Sequence, residues 1–229
     1  MTFFKNRPYS KIGLLAIPIL FFTIFMGTYF PKVAQEGFKS FILAFEFAQT
    51  PAETNSLFMN LSDETIKNIN SGIYIDYGFM VVYSLFLVLF FIKSAQISNA
   101  KWLLGGIPLT VVIFFGDFFE NIFLLKITHI YSSGLNKTML ESILQDLHII
   151  TWIKWEGLAI AFLMISIYLF KGKWLSKIGA IICIFPFVLS FIALNNSPFI
   201  LSIFTLSITV GFGVLIFYSF LFHISIDKK

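Results

Sequence analysis

Nine side chains could do chemistry inside this otherwise apolar sequence: Glu46, Asp76, Tyr83, Asp117, Glu120, Asn121, Trp152, Lys154 and Glu156. The densest group is FFGDFFENIF at 114–123, where two carboxylates and an amide interrupt a run of phenylalanines. A charge at bilayer depth costs roughly 2.5–3.5 kcal/mol on insertion scales, so such residues face a bundle interior and have partners. There a carboxylate can hold a cation, grip a polar head group, or serve as a general acid or base. Asp117 and Glu120 are the candidates for acid–base work. The plainer alternative is that they hydrogen-bond helix to helix as structural glue.

Helical spacing groups these positions. Gly106, Thr110, Asp117 and Asn121 form one stripe with Glu120 at its flank, and Asp76, Met80 and Tyr83 form a second. Trp152 and Glu156 align on a third, with His148 at its edge. Counted from the outer helix ends, Asp117 and Glu156 lie ~12–14 Å deep. Three polar stripes at one depth predict a shared pocket. Lys154 is the exception, because two residues from Glu156 it points nearly the opposite way on an ideal helix. It reaches the pocket only if the helix is irregular or rotated, which Gly157 would permit; otherwise it snorkels to the surface. With Asp76, Asp117, Glu120 and Glu156 against Lys154, the pocket carries an excess of negative charge. Either a carboxyl stays protonated or a cation binds.

These residues need helices that cross a membrane. Six windows are long and apolar enough: 12–30, 73–92, 102–125, 148–170, 175–194 and 199–223. The first follows Lys5, Arg7 and Lys11 but lacks a small-x-small cleavage site, so it reads as a retained anchor. Lys5, Arg7, Lys11, Lys93, Lys101, Lys171, Lys173, Lys177, Lys228 and Lys229 fall at the termini and the even-numbered loops. Lys32, Lys39, Lys67, Lys126 and Lys137 fall on the other side. That bias predicts a cytoplasmic (inner) membrane protein with both termini in the cytoplasm.

The connection 31–72 is too long for a plain loop. GFKSFILAFEFAQ within it is apolar but too short to span, and should lie in the interface or re-enter the membrane. Thr50, Pro51 and Glu53 give a helix start, and SDET at 62–65 a second, so 37–70 reads as an outer helical cap. The second outer connection, 126–147, carries an amphipathic helix around 138–147. The expected fold is all-α: a single polytopic domain over 1–229, six transmembrane helices with short interfacial helices outside.

Composition agrees. The 229 residues are 58% hydrophobic and 12% charged, with a mean hydropathy of +0.87, where a soluble domain carries about a quarter charged residues. The net charge of +4 is not gathered into a patch, which argues against nucleic acid. Cys183 is alone in an apolar run, and His129, His148 and an aspartate fall short of a zinc site, so no metal and no cofactor is expected. Below the polar level, SLFLVLFFI, WLLGGIPLTVVIFF and LAIAFLMISIYLF hold no acidic or basic group. A transporter needs polar steps on both sides of the midplane. This chain looks open on one side only.

FEFAQT at 45–50, IDYGFMVVY at 75–83, DFFEN at 117–121 and IKW at 153–155 together resemble a group of small bacterial multi-pass membrane proteins without an assigned activity. The likeness covers roughly 41–160. It implies that Glu46, Asp76, Asp117, Glu120, Asn121 and Lys154 matter, and implies no reaction. Three functions remain open: a one-sided, outward-facing acidic pocket for a cation or polar lipid head group, a membrane-embedded enzyme acting on an outer-leaflet lipid, and a proton- or cation-coupled carrier.

Overall fold

The computed structural model describes residues 7–32, 37–133, 137–195 and 197–222. Lys5, His223, Lys228 and Lys229, which entered the topology and span readings, lie outside them. The described residues are helical with no strand: α1 (Ser10–Gly13), α2 (Ala16–Gly27), α3 (Phe41–Glu46), α4 (Pro51–Phe58), α5 (Asp63–Ser98), a 3-10 turn (Lys101–Gly105), α6 (Gly106–Ser133), α7 (Lys137–Leu169), α8 (Trp174–Ala193) and α9 (Pro198–Leu221). Six helical segments are long and apolar enough to cross a bilayer, with α1 and α2 together forming the first. The chain is a multi-pass helical membrane protein. Its apolar residues face outward as well as inward: Ile17 is 69% and Phe217 71% exposed, as lipid-facing positions should be.

Several helices run well past the expected spans. SDET does not start a separate cap helix; Ser62 caps α5 through the Thr65 amide, and α5 continues for 36 residues to Ser98. At 1.5 Å per residue that is ~54 Å, against a hydrocarbon core of ~30 Å. The helix expected at 138–147 is likewise the beginning of α7, and His129 lies inside α6 rather than beyond it. The cap proper is therefore α3 and α4, smaller than the expected 37–70. Apolar windows mark only the lipid-buried part of a helix, so they miss the polar turns that project past it.

Those projecting turns have their own core. Phe45, Phe58, Ile69, Leu124, Ile127, Leu144 and Leu147 cluster with α3 and α4 at one end of the bundle. Tyr131 of α6 stacks on Phe58 of α4 and donates to Asn55, 2.6 Å away. The larger core fills the membrane-spanning part, with Phe86, Phe90, Phe91, Leu103, Ile113, Phe162 and Phe204 fully buried. The polar residues lie where the two cores meet.

The short cap helices start as their sequences dictate. Ser40 caps α3 through the Leu43 amide. Thr50 and Glu53 form a reciprocal capping box on α4, with Pro51 in the first turn where its missing N–H costs nothing. α3 ends at Glu46, four residues before that box, and the Glu46 carboxylate reaches back to Lys154 in the bundle.

Candidate functional site

The cluster centres on Lys154, 5% exposed in the middle of α7. Its ammonium contacts three carboxylates from two other helices: Glu120 of α6, in a short direct contact, Asp117 of α6 at 3.4 Å and Glu46 of α3 at 3.4 Å. A buried ammonium is tolerable only when paired and hydrogen-bonded, and here it donates to Glu120 and is ion-paired with Asp117 and Glu46 as well. The indole of Trp155 adds a face 4.8 Å from the ammonium nitrogen.

Each carboxylate has further donors. Tyr83 of α5 donates to Asp117 Oδ2 at 2.7 Å, and Thr151 of α7 donates to Glu120 Oε1 at 2.6 Å. Thr151 also reaches the Glu46 carbonyl at 3.2 Å, and Trp155 Nε1 donates to Glu46 Oε2 at 3.3 Å. Beside this core, Asn121 of α6 donates to Asp76 Oδ2 of α5 at 2.7 Å. Burial pushes the Glu46 carboxyl, which lies outside the spanning segments, above its ordinary range against the pull of Lys154.

Tight helix packing makes the arrangement possible. Gly116, one residue before Asp117, lets α7 approach so closely that a Cβ there would sit 3.3 Å from the Lys154 backbone nitrogen. Gly157 serves packing too: a Cβ on it would lie 2.6 Å from Ile113 of α6. It does not disturb α7, which is helical from Lys137 to Leu169.

Asp76, Tyr83, Asp117, Glu120, Asn121, Lys154 and Glu46 are therefore brought together. Glu156 and Trp152 are not, which corrects the sequence reading. Glu156 interacts with Ser190 of α8 instead. Trp152 packs against Phe47, Phe204 and the His148 ring, without a polar contact to the cluster. The stripe of α7 that faces the cluster is Thr151, Lys154, Trp155 and Leu158, at the same three-and-four spacing as the stripe expected on the other side. Choosing Glu156 for its charge turned the helix by two residues and put Lys154 outside. Thr151 and Trp155 were missed for the same reason, and their spacing from Lys154 was the available signal.

A cavity of about 210 Å³ opens onto this cluster. Glu46, Asp76, Tyr83, Asp117, Asn121 and Lys154 form one wall; Phe30, Phe79, Leu158, Ile208 and Phe212 belong to the apolar remainder. Below it the bundle is closed by Phe86, Phe90, Phe91 and Phe162, each fully buried. Near the opposite end the stretches expected to be dry carry one hydroxyl cluster: Tyr9 pairs with Ser94 at 2.9 Å and Tyr168 at 2.7 Å. No protein-family model, curated protein or solved structure matches the chain.

Proposed function

We propose that this protein is an inner-membrane binding protein whose one-sided, outward-facing acidic pocket holds a cation or a polar lipid head group. In this reading both termini are cytoplasmic, because ten lysines and arginines sit at that end and in its loops against five at the capped end. The observation that carries the reading is the cavity wall, where Glu46, Asp76 and Asp117 stand beside one basic side chain, Lys154, which pairs with Glu46 and Asp117 and leaves Asp76 to the Asn121 amide. Three acids with Glu120 behind them leave the wall electron-rich, and a positive or donor-bearing occupant complements it.

An enzyme using Asp117 or Glu120 is less well supported. Both oxygens of Glu120 are taken by Lys154 and Thr151, and both oxygens of Asp117 meet Lys154 or Tyr83. A general base needs an oxygen free to take a proton from substrate. The carrier reading needs a polar route past Phe86, Phe90, Phe91 and Phe162, all fully buried.

Native mass spectrometry of the protein extracted with its surrounding lipid tests the binding reading. Wild type should carry an adduct that Asp76→Asn loses while keeping its melting temperature. Wild-type protein without an adduct, or the same adducts on both proteins, would overturn it.

A further inference from the structure

Hydrogen-bond accounting at the cavity wall narrows the occupant. Most donors on that wall are already committed: the Lys154 ammonium lies among three carboxylates, the Tyr83 hydroxyl donates to Asp117, and one N–H of the Asn121 amide donates to Asp76. What remains is acceptor capacity. Asp76 Oδ1 takes no hydrogen bond among the described residues, and Asp76 is only half-buried, open to the cavity. Asn121 is 3% exposed, lines the cavity, and its carbonyl Oδ1 also accepts nothing among the described residues. One of its two amide N–H groups goes to Asp76, and the oxygen has no donor of its own. Two unpaired acceptors side by side on the cavity make this pair a place for something that donates. A phosphate or carboxylate would bring more acceptors and negative charge to a wall that already holds Glu46, Asp76 and Asp117.

The rest of the cavity is apolar, and it lies on the side where the first and last spans meet. There α1 packs on α9, whereas α2 packs chiefly along α5. Met26 of α2 and Thr209 and Phe212 of α9 all line the cavity, so its apolar part runs between these two helices. Its volume of about 210 Å³ exceeds the ~150 Å³ of an engineered cavity that takes benzene. A hydrated inorganic ion would leave most of this apolar wall without a partner.

We propose that the occupant is an organic ammonium, a positively charged N–H donor on a single apolar body. Its nitrogen sits between Asp76 Oδ1 and Asn121 Oδ1, and its apolar body lies between α2 and α9. This inference rests on the binding reading above and names its ligand class. The ammonium replaces water at an acidic wall with charge-assisted hydrogen bonds, while the body fills apolar space.

Isothermal calorimetry on the full chain in a neutral detergent provides the test, with four probes: octylammonium, octanol, octyl phosphate, and the chlorides of sodium, potassium and magnesium. Octylammonium should bind saturably and the others should not. Asp76→Asn should weaken it by about tenfold or more, the loss expected for a charge-assisted hydrogen bond. Met26→Trp, which fills the apolar side and leaves the charges intact, should weaken it as well, so a folding defect in one variant does not decide the matter. Saturable, Asp76-dependent binding of octyl phosphate or of a metal chloride would overturn the ammonium assignment and leave the pocket reading standing. Equal octylammonium binding by wild type and both variants would show partition into the micelle and overturn the assignment. No saturable binding of any probe would overturn the ammonium and count against the pocket itself.

Discussion

Lys154→Met should be the most damaging conservative change in the protein. Methionine keeps most of the side-chain volume, so the perturbation is electrostatic. The ammonium is the shared partner of Glu120, of Asp117 at 3.4 Å and of Glu46 at 3.4 Å, all buried. Removing one member of a buried ion pair costs about 3–5 kcal/mol, because the charge left behind is uncompensated. At ~2–4 °C per kcal/mol for a chain of this size, the melting temperature in detergent should fall by on the order of 10 °C. Lys154→Met with Glu120→Gln removes the closest of the stranded carboxylates and should recover part of the loss. The double variant should therefore melt above Lys154→Met alone, a non-additivity that only contacting residues show. A silent Lys154→Met, or strictly additive losses, would refute the idea that the lysine holds the cluster together.

Gly116→Leu should destabilise the bundle more than Gly116→Ala, since even a Cβ there meets the Lys154 backbone at 3.3 Å; thermal melts of both variants check the order. Glu46 gives a pH dependence: burial raises its carboxyl above the ordinary range, so between those two values the folded form holds a proton the unfolded chain releases. Stability should thus fall as pH rises from the ordinary glutamate range, and Glu46→Gln should flatten the melting-temperature profile; an unchanged profile would remove Glu46 from the account. Terminal reporter fusions should be active in the cytoplasm and a fusion in the loop at 59–62 outside, with the reverse pattern overturning the orientation.

Much of the architecture was legible because lipid imposes a coarse rule: a spanning helix needs about 20 apolar residues. Helix ends were less legible, since polar turns such as 63–72 carry no hydropathy signal and are held by packing on Phe58, Leu124 and Leu144. Within the site, α5 and α6 were read correctly because their polar residues lie on single stripes. On α7 two acceptable stripes compete, one through Trp152 and Glu156 and one through Thr151, Lys154 and Trp155. Charge alone does not choose between them. The structure chooses the stripe whose cation matches the carboxylates of α3 and α6, while Glu156 finds Ser190 on α8.

The tie between cap and bundle runs through the site itself. Glu46 is the last residue of α3, and its carboxylate and carbonyl are held by Lys154, Trp155 and Thr151. The capping box of α4 begins four residues later, at Thr50. A positive occupant drawing charge from the acidic wall would compete with Lys154 for those carboxylates, and Glu46, on a helix of six residues, is the one best able to respond. Between the site and the hydroxyl cluster of Tyr9, Ser94 and Tyr168 lie the buried rings of Phe86, Phe90, Phe91 and Phe162. In the proposed orientation, the consequence of occupancy is therefore felt at the capped face, through α3, on the side from which the pocket is open.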